Sequence, residues 1–172
     1  MPLTMHETCV PALQRALRQL RHLLEAAQAH ATERGYDPQV LLGMRLSPDM
    51  FPLLRQVQIT TDLAKNGTAR LAGIDPPPFP DEETTFAELV ARTARALDFI
   101  DGVKAEQFEG SEARPIAIPT RSYGDLHFDG RSYLQQFVLP NVYFHLSMAY
   151  AILRHAGVPL GKADYLGKVG RD

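Results

Sequence analysis

A chain of 172 residues with 45% hydrophobic and 22% charged side chains is long and apolar enough for one domain with its own core, which excludes intrinsic disorder. A formal charge of -2 leaves no basic footprint for nucleic acid or an anionic membrane surface. Cys9 is the single cysteine, which excludes an internal disulfide and a thiolate metal cluster. Beside Val10 and Ala12 it reads as a small buried thiol. Residues 1–7 lack a basic stretch followed by an apolar one, and no apolar run approaches the roughly 20 residues needed to cross a bilayer. The expectation is a cytoplasmic protein with no membrane partner.

Thr4 and Glu7 form a T-x-x-E capping box, and behind it Val10, Leu13, Leu17, Leu20, Leu24, Ala27 and Ala31 recur at steps of three and four. That single apolar stripe predicts a bundle helix, closed by Gly35. A connector over 37–46 leads to Ser47-Pro48-Asp49-Met50-Phe51-Pro52. With Asp49 as N-cap, Pro52 falls in the first turn, where a missing N–H is tolerated. The second helix is expected from there to about Leu71, ending at Gly73. Pro76, Pro77, Pro78 and Pro80 make the segment from Ile74 to Pro80 an extended linker. Thr85 and Glu88 form a second capping box, with Phe86, Val90, Leu97 and Ile100 on one face of a third helix ending near Gly102. Asp81, Glu82, Glu83 and Glu88 flank its start, where negative charge complements the helix dipole.

The period then changes from about 3.6 to 2. Pro115-Ile116-Ala117-Ile118 and Tyr123-Gly124-Asp125-Leu126-His127-Phe128 alternate around Thr120-Arg121-Ser122, which predicts a short β-hairpin leaning on the helices. A last helix is expected from Arg131 or Ser132, with Ser132 and Gln135 as a weaker capping box, to about Ala156, with Gly157 closing it. The tail, 158–172, packs through Leu160, Tyr165 and Leu166. The whole is a single domain over residues 1–172: mainly α, an up-down four-helix bundle with a β-hairpin between helices three and four.

Bundle cores host sites built from facing side chains, so polar residues on inward faces are the candidates. On the second helix Gln58, Thr61, Asp62 and Lys65 share a side, with Gln56 nearby. On the fourth, Asn141 and His145 lie one turn apart, with Ala149 next along that line. Pro140 inside this helix removes a bond to the Gln136 carbonyl, which kinks a helix and could open a pocket beside Asn141 and His145. Each candidate has a structural reading as well. His145 amid Val142, Phe144 and Met148 fits a core histidine, and Asp62 with Lys65 fits an i,i+3 surface pair. His155 sits in a last turn, where it complements the dipole, and His6, His22, His30 and His127 show no ligand spacing. Tyr143, Phe144 and Tyr150 fit between helices, although a tyrosine hydroxyl could reach a pocket. No nucleotide loop, G-x-S-x-G elbow or H-E-x-x-H is present, so no reaction is identified and the protein's being an enzyme stays open.

Several strings carry a resemblance. Leu46-Ser47-Pro48-Asp49-Met50-Phe51-Pro52-Leu53 with Arg55-Gln56-Val57-Gln58-Ile59, Glu83-Thr84-Thr85-Phe86-Ala87-Glu88-Leu89, and Leu139-Pro140-Asn141-Val142-Tyr143-Phe144-His145 with Ala149-Tyr150-Ala151-Ile152-Leu153-Arg154-His155 resemble an uncharacterised bacterial family. That family carries a domain-of-unknown-function label and is similar to the DinB/YfiT-like superfamily of four-helix bundles. Better-known members of that superfamily are read as metalloenzymes, including metal-dependent thiol transferases. The superfamily's metal site uses one histidine on the second helix and an H-x-x-x-H pair on the fourth. His145 matches the first half of that pair, Ala149 stands at its partner position, and Gln56 or Gln58 stands where the second-helix histidine belongs.

The resemblance therefore implies a DinB-like bundle with a degenerate metal site. His145 is the catalytic candidate and the one residue left to hold a metal, while Gln58, Asp62, Asn141 and Tyr150 line a small polar pocket for a small molecule. No cofactor is assigned; a divalent zinc or nickel ion is the one the superfamily implies. The alternative is a metal-dependent hydrolase or thiol transferase of the DinB/YfiT type. Superfamily members commonly pair through helix faces, which implies a homodimer.

Overall fold

The structure is a computed structural model that describes residues 3–120 and 124–170. Its frame is four long helical segments. Helix α1 (Met5–Arg34) opens on Thr4, whose side chain accepts from the Glu7 N–H while Glu7 answers the Thr4 backbone. The whole expected stripe from Val10 to Ala31 is buried. Cys9 is buried with it, and desolvation pushes its thiol up to about 12, so it is protonated and unreactive.

Helix α2 (Leu53–Ala72) starts later than Asp49 allows. Its N-cap is Pro52, which has no polar side chain to offer, and the amides of Leu53 and Leu54 donate instead to the carbonyls of Met44 and Leu42. Asp49 accepts from the Ser47 hydroxyl in the turn before the helix. Helix α3 (Phe86–Gly102) opens on the Thr85–Glu88 box. Leu89, rather than the half-buried Val90, joins Phe86, Leu97 and Ile100 in the core. Gly35, Gly73 and Gly157 end α1, α2 and the last long helix in positive-φ turns.

Strands β1 (Ile116–Thr120) and β2 (Gly124–Phe128) pair antiparallel, Ile116 opposite Phe128 and Thr120 opposite Gly124. Ile116 and Ile118 face inward, which gives the period-two pattern its physical cause. The expected turn residues Arg121, Ser122 and Tyr123 lie outside the described residues. The last long helix is not uniform. A short α4 (Gly130–Ser132) runs into a π-helical stretch, Tyr133–Val138, and then α5 (Leu139–His155). Asp129, not Ser132, caps it: the Asp129 carboxylate accepts both the amide and the hydroxyl of Ser132 at 2.7 Å. Pro140 sits in the first turn of α5, directly after the widened π turns, so the irregularity the sequence expected as a kink is absorbed as π-helix. After α5 the tail forms a short α6 (Lys162–Leu166) that packs on α1.

Around the bundle, α1 packs chiefly on α3 and α5, and α2 on α5 and α3. Gln14 of α1 meets Asp101 at the far end of α3, so those two run antiparallel. Gln56 meets His145 while Gly67 meets Val138, so α2 and α5 also run antiparallel. The proline-rich connection, however, turns back along α2: Pro77 lies at Lys65 and Asp81 at Arg55. Helix α3 thus begins beside the start of α2 and runs parallel to it. The bundle is up-down-down-up, and its long connections make that order possible. Gly67 lets α2 close on the π stretch that leads into α5, since a Cβ there would come within 2.7 Å of a Val138 methyl.

Candidate functional site

Two polar clusters line α2, and they divide the residues that the sequence grouped as one pocket. The first joins α2 to α5. His145 Nδ1 lies 2.7 Å from Gln56 Oε1, and the Gln56 amide nitrogen donates to the Phe51 carbonyl at 3.1 Å. That second bond orients the amide. Its oxygen must face the imidazole, and a carbonyl oxygen only accepts, so Nδ1 carries the hydrogen and Nε2 holds the lone pair. Gln56 is almost fully buried, so this pairing is fixed by packing as well as by bonding. His145 is half-buried, and Phe144, 54% exposed, stands edge-on to its ring at 5.1 Å. Burial, and then the Arg55 charge, hold the His145 pKa below the usual histidine range, so the ring is neutral at pH 7.

The second cluster surrounds Arg92, which is 0% exposed at the centre of the α2–α3 seam. Its Nε donates to Thr61 Oγ1 at 2.8 Å, and Nη1 donates to the Pro80 carbonyl and to both Glu83 oxygens at 3.0 Å. Nη2 lies 3.0 Å from Asp62 and from Asp81, off the hydrogen-bond axis, so these are ion pairs without a directed bond. Lys65 is 3% exposed, lies 3.3 Å from Asp62, donates to the Pro77 carbonyl at 2.8 Å, and sits 4.1 Å over the Phe79 ring. Burial lowers its pKa, opposed by Asp62. The expected surface pair of Asp62 with Lys65 is therefore real as a contact but buried on its lysine side. The cluster's charges are spent on one another and on carbonyls of the proline-rich connection, which they lock to the bundle.

Gln58 belongs to this second cluster, donating to Glu83 at 2.9 Å and accepting from Arg55 at 3.2 Å. Arg55, which also pairs with Asp81, is the side chain between the clusters, since its charge reaches His145. Asn141 does not meet His145: its amide donates to the Phe137 carbonyl at 2.7 Å, reaching back from α5 into the π stretch. Tyr150 stands edge-on to Tyr165 of α6. A cleft of about 240 Å³ lies beside the Arg92 cluster, at Glu82, Glu83, Glu88 and Arg95. His145 presents its ring at the surface seam of α2 and α5.

Arg92, Glu83 and Arg55 were absent from the sequence candidates. A signal for Arg92 existed: it lies three residues after Leu89 and four before Ala96, on the core side of the helical period. A charge on such a position demands buried partners.

The donor set can be tested against the metal that the superfamily implies. A zinc or nickel site wants three or more imidazole, thiolate or carboxylate ligands. Here one imidazole faces a carboxamide, and Ala149 is fully buried with no donor atom. Among the described residues no three His, Cys, Asp or Glu side chains are grouped to hold a metal ion. The residues do not fit the group.

The profile of a family described as "Domain of unknown function (DUF1993)" matches residues 5–166. The chain is similar to a crystal structure of a DinB family member protein from Shewanella denitrificans, 37% identical, covering 98% of this chain and 94% of that one with a TM-score of 0.90. No protein of curated function matches it.

Proposed function

As the chain belongs to the DUF1993 family of DinB-like bundles, we propose that it works without the superfamily's metal, using His145 as a neutral imidazole acceptor held by Gln56. The observation that supports this reading is the 2.7 Å contact from Nδ1 to a carboxamide oxygen that is itself oriented by the Phe51 carbonyl. An imidazole so fixed offers Nε2 to a hydroxyl, thiol or acid proton, and its lowered pKa keeps that lone pair available at neutral pH. Gln56 is the positioning residue. Gln58, through Arg55, sets the charge beside the ring, while Asp62 serves the linker lock, Asn141 the helix backbone and Tyr150 the tail. The site is a shallow one for a small molecule rather than an enclosed pocket. Exposed Phe51 and Phe144 at this end further support self-association through a helix face.

Two measurements on untagged protein purified without chelators test the reading. Nitrogen chemical shifts of His145 should report a neutral Nδ1–H tautomer at pH 7, and Gln56→Ala should scramble it. Metal analysis should find no stoichiometric zinc or nickel. An Nε2–H tautomer would defeat the positioning role. Bound stoichiometric metal would restore the metal-dependent hydrolase or thiol transferase reading.

A further inference from the structure

The segment after α5 is strapped back across α1. Arg15 donates from Nε to the Leu166 carbonyl at 2.8 Å, and from Nη2 to the same carbonyl and to that of Lys168. His22 meets Asp164 at 2.8 Å, and the Tyr165 hydroxyl meets Ser147 at 3.0 Å. At Gly167 (φ +65°) the chain passes so close to α1 that a Cβ would come within 2.4 Å of the Gln19 amide nitrogen. Held in this way, the strap leaves a cleft of about 350 Å³ between itself, α1 and α5.

That size lies within the range of small-molecule sites, which are mostly apolar with a few placed polar groups. Leu146, Leu166 and the rings of Tyr143 and Tyr165 supply the apolar wall, and among the described residues no acidic side chain lines it. Its polar groups include donors in surplus. Arg15 spends Nε and Nη2 on carbonyls, whereas its Nη1 and the Tyr143 hydroxyl make no hydrogen bond among the described residues. Gln19 adds a carboxamide. We propose that this cleft binds a small aromatic carboxylate, its ring between Tyr143 and Tyr165 and its anionic head on Arg15 and the Tyr143 hydroxyl. Burial, reinforced by Tyr165, raises the Tyr143 pKa, so its hydroxyl remains a donor at neutral pH. The wall excludes a bare inorganic anion as the preferred ligand, because the apolar surface would go unused.

Amide-resolved NMR titration of the full chain with benzoate and with 1-naphthoate tests this, with benzamide as the neutral control. Saturable shifts are expected at Leu146, Tyr165 and Leu166, with Kd of about 1 mM or tighter. The two-ring acid should bind more tightly than benzoate, and benzamide about ten-fold more weakly. Arg15→Met should weaken benzoate about ten-fold, but it also loosens the strap. Tyr143→Phe leaves the strap bonds intact and should weaken benzoate several-fold. Absence of saturable shifts would overturn the proposal. So would equal binding of benzamide, shifts centred on His145, or unchanged affinity in Tyr143→Phe.

Discussion

At the scale of single residues, the chemistry rests on what a side chain is bonded to rather than on its type. His145 is neither a free base on a surface nor a buried core histidine. It is a half-buried ring with one nitrogen committed and the other open. Its pKa lies below 6.5 because burial, then Arg55, disfavours the imidazolium. The folded state therefore binds this proton more weakly than the unfolded chain does. Its contribution to stability is complete above the ordinary value of 6.5 and is lost as the pH falls below that value toward the folded pKa. Urea unfolding at about pH 8 and about pH 5 should show a smaller acid loss in His145→Gln than in the parent. Equal losses would mean that the ring is not held neutral. The same distinction between type and partner explains Asp49 and Ser132. Each is a good capping residue by type, yet backbone carbonyls serve α2 and Asp129 serves α4.

At the scale of elements, the Arg92 cluster decides where α3 lies. Its guanidinium holds Thr61 of α2, the Pro80 carbonyl and Glu83 at once, so the connection is fixed along the α2 surface before α3 begins. Arg92→Met should destabilise the fold by about 3–5 kcal/mol, because Glu83, Asp62 and Asp81 lose their central cation. Denaturant midpoints would measure this, and hydrogen exchange should rise first over 74–85. A loss confined to about 0.5 kcal/mol would mean that Arg55, Lys65 and Arg95 carry the carboxylates without it. The helices themselves were legible in the sequence because their signals are local: two capping boxes, a 3-4 apolar stripe and terminal glycines. The π stretch was not, because Pro140 announces a backbone conflict but not how the turns before it resolve that conflict.

For the whole molecule, the open matter is self-association. Phe144 lies exposed on α5 and Phe51 just before α2, while no helix of the described residues is long and apolar enough to cross a membrane. Light scattering coupled to size exclusion should give twice the 19.1 kDa chain mass for the parent. Phe144→Ser should shift that balance toward monomer. A clean monomer at high concentration would remove the dimer.

The sequence by itself determined the number of long helices, most of their ends and the hairpin, since each follows from residue type at a local spacing. Only the tertiary structure decided which polar residues meet. Gln58 and Asp62 went to the arginine cluster, Asn141 to its own helix, and Tyr150 to the tail. Gln56 alone among the polar candidates bonds His145. The reason is the parallel placement of α2 and α3. It turns the face of α2 that carries Gln58 and Asp62 toward the returning linker and leaves the nearly opposite face, with Gln56, toward α5. A choice between two faces of one helix depends on what packs there, and no periodicity within that helix encodes it.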